Sequence, residues 1–98
     1  MYTLIVRESG ETAGFVGFVP RTMEWGDELE LGWMLMLDQR GKGFATEAAA
    51  ALRATKDQRI ISLIRTDNPA SESVARRIGA TLERIFEYWG YETGVWVS

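Results

Sequence analysis

Neither cysteine nor histidine occurs among the 98 residues. The first absence excludes disulfides, thiolate nucleophiles and cysteine-ligated zinc. The second removes the commonest transition-metal ligand and the commonest catalytic base. Acid–base chemistry is left to carboxylates, lysine, tyrosine, water or the backbone, and no metal is expected. An excess of positive charge is also missing: the net charge of −3 weighs against a nucleic-acid partner, which requires a basic surface. No apolar run approaches transmembrane length, so no membrane partner is expected. The opening stretch MYTLIVRESGE reaches charged residues too early for a secretion signal, which makes the cytoplasm the expected location.

What is present is ordinary globular chemistry. Apolar residues make up 46% and charged residues 26%, which argues against disorder, and the length suits one domain over residues 1–98. Such a chain buries only about two-thirds of its extended surface, so its own core offers limited stability. Four tryptophans are many for this length. They serve either the core or a partner surface.

Strands are expected at Tyr2–Val6 and Ala13–Val19, joined by the turn ESGET, with Pro20 ending the second and 20–28 forming a loop. From Leu29 to Leu37 the period is two: Leu29, Leu31, Trp33, Leu35 and Leu37 share one face, and Glu30, Gly32, Met34 and Met36 the other. After a loop at 38–43, Phe44 to about Asp57 reads as a helix with Ala48, Ala51, Leu52 and Thr55 along one stripe. Arg59–Arg65 reads as a buried strand. Thr66-Asp67-Asn68-Pro69 caps a helix that Gly79 closes, with Val74, Ile78 and Ala75 facing inward. Two strands, Thr81–Glu87 and Glu92–Val97, complete an α/β domain of order β-β-β-α-β-α-β-β with a mixed sheet.

The segment QRGKGFATEA places a glycine-rich loop between a strand and a helix. The first helical turn there carries unpaired amides and a positive dipole end, glycine removes the Cβ that would obstruct an oxyanion, and Arg40 and Lys42 add attraction. Thr46 lies in the first turn, within reach of an anion. The pattern is neither G-x-x-x-x-G-K-S/T nor G-x-G-x-x-G. On these residues alone, a structural turn and a phosphate cradle both stay open.

Three motifs carry a family resemblance. Glu30-Leu31-Gly32-Trp33-Met34-Leu35 is similar to an E-I-G-Y-W-L strand, Arg40-Gly41-Lys42-Gly43-Phe44-Ala45-Thr46-Glu47-Ala48 to an R-G-x-G-x-A-T-E-A signature, and Asn68-Pro69-Ala70-Ser71 to an N-x-x-S helix start followed by Ile78-Gly79. Together they resemble the GNAT acetyltransferase superfamily, specifically its ribosomal-protein N-terminal acetyltransferase-like branch. The resemblance implies a small mixed-sheet fold that splays after the strand ending near Leu37, with acetyl-CoA in the resulting V. It implies that backbone groups of Leu35, Met36 and Leu37 hold the pantetheine arm, and that Arg40, Gly41, Lys42, Gly43, Phe44, Ala45 and Thr46 surround the pyrophosphate. Asn68 is expected on the cofactor arm and Ser71 near the thioester sulfur.

The implied reaction is direct attack of a primary amine, from a protein N-terminus or a small molecule, on acetyl-CoA. It needs a positioned amine and electrophile but no enzyme nucleophile. Glu30 is the leading base, against the plain alternative of a solvated carboxylate at a strand edge. Ala75 stands where many members carry a tyrosine acid, which leaves Ser71 as the substitute, against the alternative of a first-turn hydroxyl bonded to backbone.

The family's first strand and two helices are not matched, the first helix is about five residues short, and Ala80 stands where phenylalanine is usual. Three readings follow. One is a minimal enzyme completed by a second subunit, with Trp25, Trp89, Tyr91 or Trp96 at a homodimer interface. The others are a CoA-binding module without turnover and a structural interaction protein.

Overall fold

The computed structural model describes residues 2–5, 12–35 and 44–98. In chain order the elements are β1 (Tyr2–Ile5), β2 (Thr12–Met23), β3 (Gly26–Leu35), α1 (Phe44–Arg53), β4 (Ile61–Arg65), α2 (Pro69–Arg77), β5 (Thr81–Tyr88) and β6 (Tyr91–Val97). The strands form one sheet in the order β1-β2-β3-β4-β6-β5. Neighbours are antiparallel except β3 and β4, which run parallel, so the sheet is mixed as expected.

Several boundaries differ from the sequence reading. Pro20 does not end β2, and residues 20–28 are not a loop: the strand runs on to Met23 and pairs with β3 from Gly14↔Leu35 to Met23↔Gly26. Among the described residues β1 pairs with β2 only as far as Val16. Beyond it, among the described residues, one edge of β2 has no strand beside it, and a missing N–H on that edge costs no ladder bond. The turn between β2 and β3 is short, with Gly26 at φ +133°, a region open to glycine.

Helix α1 stops at Arg53 rather than near Asp57 because Arg53 gathers the chain behind it. Its guanidinium donates to the carbonyls of Lys56 and Gln58 and to the Ser98 hydroxyl, at 2.8, 2.9 and 2.9 Å. Its inward stripe is Ala45, Ala48, Ala49 and Leu52; Ala51 and Thr55 are exposed. For α2 the reading holds. Asn68 caps it through Oδ1, which accepts the Ser71 N–H at 3.2 Å, and Pro69 occupies the first turn. At its end Gly79, at φ +88°, lets its own N–H reach the Arg76 carbonyl while the Ala80 N–H reaches that of Ala75. That pair of bonds is a Schellman closure.

Both helices lie on one face of the sheet. Val16, Leu31, Ala49 and Ile60 form one buried cluster and Ile64, Ala75, Ala80 and Trp96 a second, with Trp33 and Ile78 packed against both. By the two-residue alternation of a strand, Glu30 of β3 and Ile61, Leu63 and Arg65 of β4 point to the opposite face. There the tip of the β2–β3 hairpin curls across the sheet. Trp25 meets Phe86 of β5 edge-on, with ring centroids 5.3 Å apart, although β3 and β5 are separated by three inter-strand spacings, roughly 14 Å. This crossing explains why Ile61 and Val95 are fully buried on a face that carries no helix.

A clasp of charges holds the tip down. Arg59 donates to both oxygens of Glu28 and to Glu83, and the Trp25 indole N–H donates to Glu28 at 2.9 Å. The Arg84 guanidinium lies 4.6 Å above the Trp25 ring.

Candidate functional site

The parallel pair β3/β4 is the weak seam of the sheet. One register pair, Glu30↔Ile61, joins the two strands among the described residues, whereas β4 and β6 pair along the whole of β4. Past that point side chains do what the ladder would have done. The buried Ser62 hydroxyl donates to the Leu31 carbonyl at 2.8 Å, and the Leu63 N–H donates to Glu30 Oε2 at 3.4 Å. The strands separate there around a cleft of about 220 Å³, lined by Glu30, Gly32, Trp33, Arg65, Asn68 and Ser71 among others. The seam thus brings Glu30, Asn68 and Ser71 to one cavity, from a strand and from the start of a helix 38 positions later (68 − 30).

Glu30 is 8% exposed, so it is not a solvated edge carboxylate. Its Oε1 accepts from Arg21 Nε at 2.8 Å. Arg21 lies on β2 opposite Glu28, so it reaches Glu30 across a diagonal of the antiparallel pair. That bond to Glu30 raises the guanidinium pKa above its usual value, against the lowering effect of burial. The sequence reading missed Arg21 because Pro20 was read as the end of the strand. With β2 continued, the alternation puts Arg21 on the face of Glu28 and Glu30.

A second cleft of about 240 Å³ opens on the face without helices. Glu30, Leu63 and Arg65 belong to both clefts, so the two meet at the seam. The second is completed by Arg21, Tyr88, Trp89, Tyr91 and Thr93, none of which the sequence reading placed at the site. Trp89 and Gly90 form the β5–β6 turn with φ of +53° and +81°, the pattern of a type I′ hairpin. Arg65 stacks on the Tyr91 ring at 3.8 Å and pairs with Asp67 at 2.6 Å. Its bond to Asp67 raises the Arg65 pKa and lowers that of Asp67.

Of the expected cofactor residues, Met36, Leu37, Arg40, Gly41, Lys42 and Gly43 lie outside the described residues. Leu35 is the last residue of β3 and Phe44 the first of α1. Ala45 is buried and Thr46 partly exposed, and both fall in the first turn of α1, whose N–H groups have no acceptor within the helix. Of the four aromatic residues proposed for an interface, Trp96 is buried beneath α2 and Trp25 is held in the clasp; Trp89 is 83% and Tyr91 51% exposed. Among the described residues no helix is long and apolar enough to cross a membrane.

The residues present fit a cofactor with a linear, amide-bearing arm. The cleft follows β3 where its partner strand has parted from it, and Asn68 spends its oxygen on the α2 cap while its amide nitrogen donates to none of the described residues.

Comparison with known proteins identifies the family of the fold. The model of the acetyltransferase (GNAT) domain matches residues 1–81. An uncharacterized Bacillus subtilis protein, YkkB, is 30% identical over 95 residues, 92% of this chain and 55% of that protein. A chain from Bordetella pertussis assigned to the GNAT-family acetyltransferases superposes with a TM-score of 0.86 at 28% identity, covering 98% of this chain and 63% of that one. RimL, a ribosomal L7/L12 α-N-protein acetyltransferase solved with coenzyme A, gives 0.76 at 25% identity, over 91% of this chain and 56% of its own. This chain therefore spans somewhat more than half the length of these relatives. A split parallel seam, a capped helix beside it and a domain match over most of the sequence lead to one conclusion: the chain belongs to the GNAT acetyltransferase family.

Proposed function

We propose that this chain is an acetyl-CoA-dependent N-acetyltransferase acting on a primary amine, a protein N-terminus or a small molecule, within the ribosomal-protein acetyltransferase-like branch. One observation carries the reading: the seam cleft holds Glu30, Asn68 and Ser71 together and joins a second cleft at Glu30. A two-substrate transfer needs two approaches to one point. The coenzyme A bound by RimL supports coenzyme A as the cofactor class.

When bound, acetyl-CoA supplies an activated acyl thioester. The Asn68 amide donates to the cofactor arm, and the first-turn amides of Phe44, Ala45 and Thr46 contribute to the pyrophosphate site with the loop from Arg40 to Gly43. Leu35, with Met36 and Leu37 after it, offers backbone groups along the open edge of β3. The acceptor amine enters from the second cleft. As its nitrogen forms the C–N bond and the C–S bond breaks, Glu30 takes the amine proton, directly or through one water. The Ser71 hydroxyl donates to the departing sulfur. Arg21 and the Leu63 N–H hold the Glu30 carboxylate at the junction.

A second reading, a CoA-binding module without turnover, is favoured by the same two bonds, because they already occupy both Glu30 oxygens. Titration with acetyl-CoA and desulfo-CoA, followed by coenzyme A release on a panel of primary amines, separates the two. Micromolar binding with transfer supports the enzyme; binding without transfer supports the module. Absence of binding at millimolar acetyl-CoA would sink both.

A further inference from the structure

Trp89 occupies a position that local physics assigns to another kind of residue. Its φ of +53° lies in the left-handed region, where a type I′ turn ordinarily places Asn, Asp or Gly. It is also 83% exposed, so a large apolar ring stands in water without covering the core. Neither the turn nor the core accounts for an indole here.

What the ring does have is support and position. It ends a row of four aromatics along the face without helices: Trp25 to Phe86 at 5.3 Å, Phe86 to Tyr88 at 5.4 Å and Tyr88 to Trp89 at 6.1 Å. The last contact is edge-on, at 76°, and most of the Trp89 ring stays open to solvent. The ring forms part of the second cleft, which the buried Glu30 also lines. The charges of that cleft are already spoken for: Arg21 pairs with Glu30, and Arg65 pairs with Asp67 while stacking on Tyr91. Among the described residues, then, the charges of the cleft are paired, Glu30 with Arg21 and Arg65 with Asp67, and what stands uncommitted is aromatic surface. That lining suits an amine carrying a flat or apolar group better than one carrying an acidic group.

We propose that Trp89 is the specificity-determining residue for the acceptor, selecting primary amines that bear an aromatic or bulky apolar group, with Tyr88 and Tyr91 completing the surface. The inference rests on the second cleft being the acceptor side of the transfer proposed above. Glu30 receives the amine end, and the aromatic faces receive the group behind it.

The test compares 2-phenylethylamine with ethylamine, which share the amine and its two carbons and differ by the ring, and adds β-alanine as the acidic counterpart. With saturating acetyl-CoA, the wild-type protein is expected to favour 2-phenylethylamine at least tenfold in kcat/KM over both. In Trp89→Gly, a substitution the turn geometry accepts, that ratio is expected to fall at least tenfold through KM. In Trp89→Phe most of it is expected to return. An unchanged ratio in Trp89→Gly, or a wild-type preference for β-alanine, overturns the proposal.

Titration calorimetry of the same three amines, with coenzyme A present, decides the matter without turnover. A tenfold tighter Kd for 2-phenylethylamine that is lost in Trp89→Gly supports it, and equal or undetectable binding overturns it. A protein that binds the aromatic amine but neither binds nor turns over acetyl-CoA would fail the transferase reading while sustaining the aromatic surface.

Discussion

Glu30 sits where two demands meet. As a ladder substitute it accepts the Leu63 N–H and helps keep β3 and β4 apart, and as the proposed base it must release and accept protons at the junction of two clefts. Glu30→Gln keeps the shape and an acceptor oxygen but removes the base. Transfer, followed as coenzyme A release, is expected to slow by about 10²-fold or more, with the Kd for acetyl-CoA unchanged. A purely structural carboxylate would lower thermal stability and leave the transfer rate alone.

Gly94 shows a different constraint at the same scale. A Cβ there would stand 2.9 Å from Leu82 Cδ1 and 3.1 Å from Trp96 Nε1. Leu82 is 45% exposed and can turn away, whereas Trp96 is buried beneath α2 and cannot. Gly94→Ala is therefore expected to cost about 1–2 kcal/mol, a fall in Tm of roughly 5–10 °C by scanning calorimetry.

The long β2–β3 hairpin matters through its tip. The tip covers the face that lacks helices and is pinned by Arg59 between Glu28 and Glu83. The bond from Arg59 holds the Glu28 carboxyl below its ordinary value of 4.5, against the opposing effect of burial, with the Trp25 indole adding to it. Arg59 lowers Glu83 in the same way. Because both folded-state values are depressed, the stability they contribute is fully present above the unfolded value, near 4.5, and is lost as the pH falls through the folded values. Arg59→Met is expected to remove about 1–2 kcal/mol at pH 7, since the Glu28 side chain is only 7% exposed and would be left without its cation. The variant and wild-type curves of stability against pH are expected to converge below pH 4.5, which denaturant titrations between pH 3 and 7 check. Parallel curves over that range would refute the clasp.

At the scale of the whole fold, the described residues supply the seam, both clefts that meet at it and the helices packed on one face. A core of this size leaves a modest stability, so a ligand bound across the seam acts on the whole fold by mass action. Acetyl-CoA at a hundred times its Kd is expected to add about 2.7 kcal/mol, a rise in Tm of roughly 10 °C or more. Gly43→Trp, which fills the proposed pyrophosphate cradle, is expected to abolish the rise while leaving the unliganded Tm within a few degrees. A rise of the same size in that variant would remove the loop from the site.

Much of this protein is legible in short stretches, because local chemistry decides local structure. Asn68-Pro69 can start a helix, since the asparagine oxygen caps and the proline fits the first turn, Gly79 can end one, and the alternation around Leu31 puts Glu30 and Leu31 on opposite faces whatever the partner strands are. The family signatures are local in the same sense, since an anion cradle requires glycines at set positions. Pro20 continues its strand for a tertiary reason: a proline disrupts a sheet only where a neighbouring strand needs its N–H, and among the described residues β1 pairs with β2 only as far as Val16. The rest depends on segments far apart in the chain. Arg21 meets Glu30 only through the register of β2 with β3, and Trp25 meets Phe86 only because the sheet curls. The two clefts join only where β3 and β4 part. No window of the sequence contains both sides of those contacts, so composition and motif indicate what the seam is for, and the packing of the sheet decides which residues stand around it.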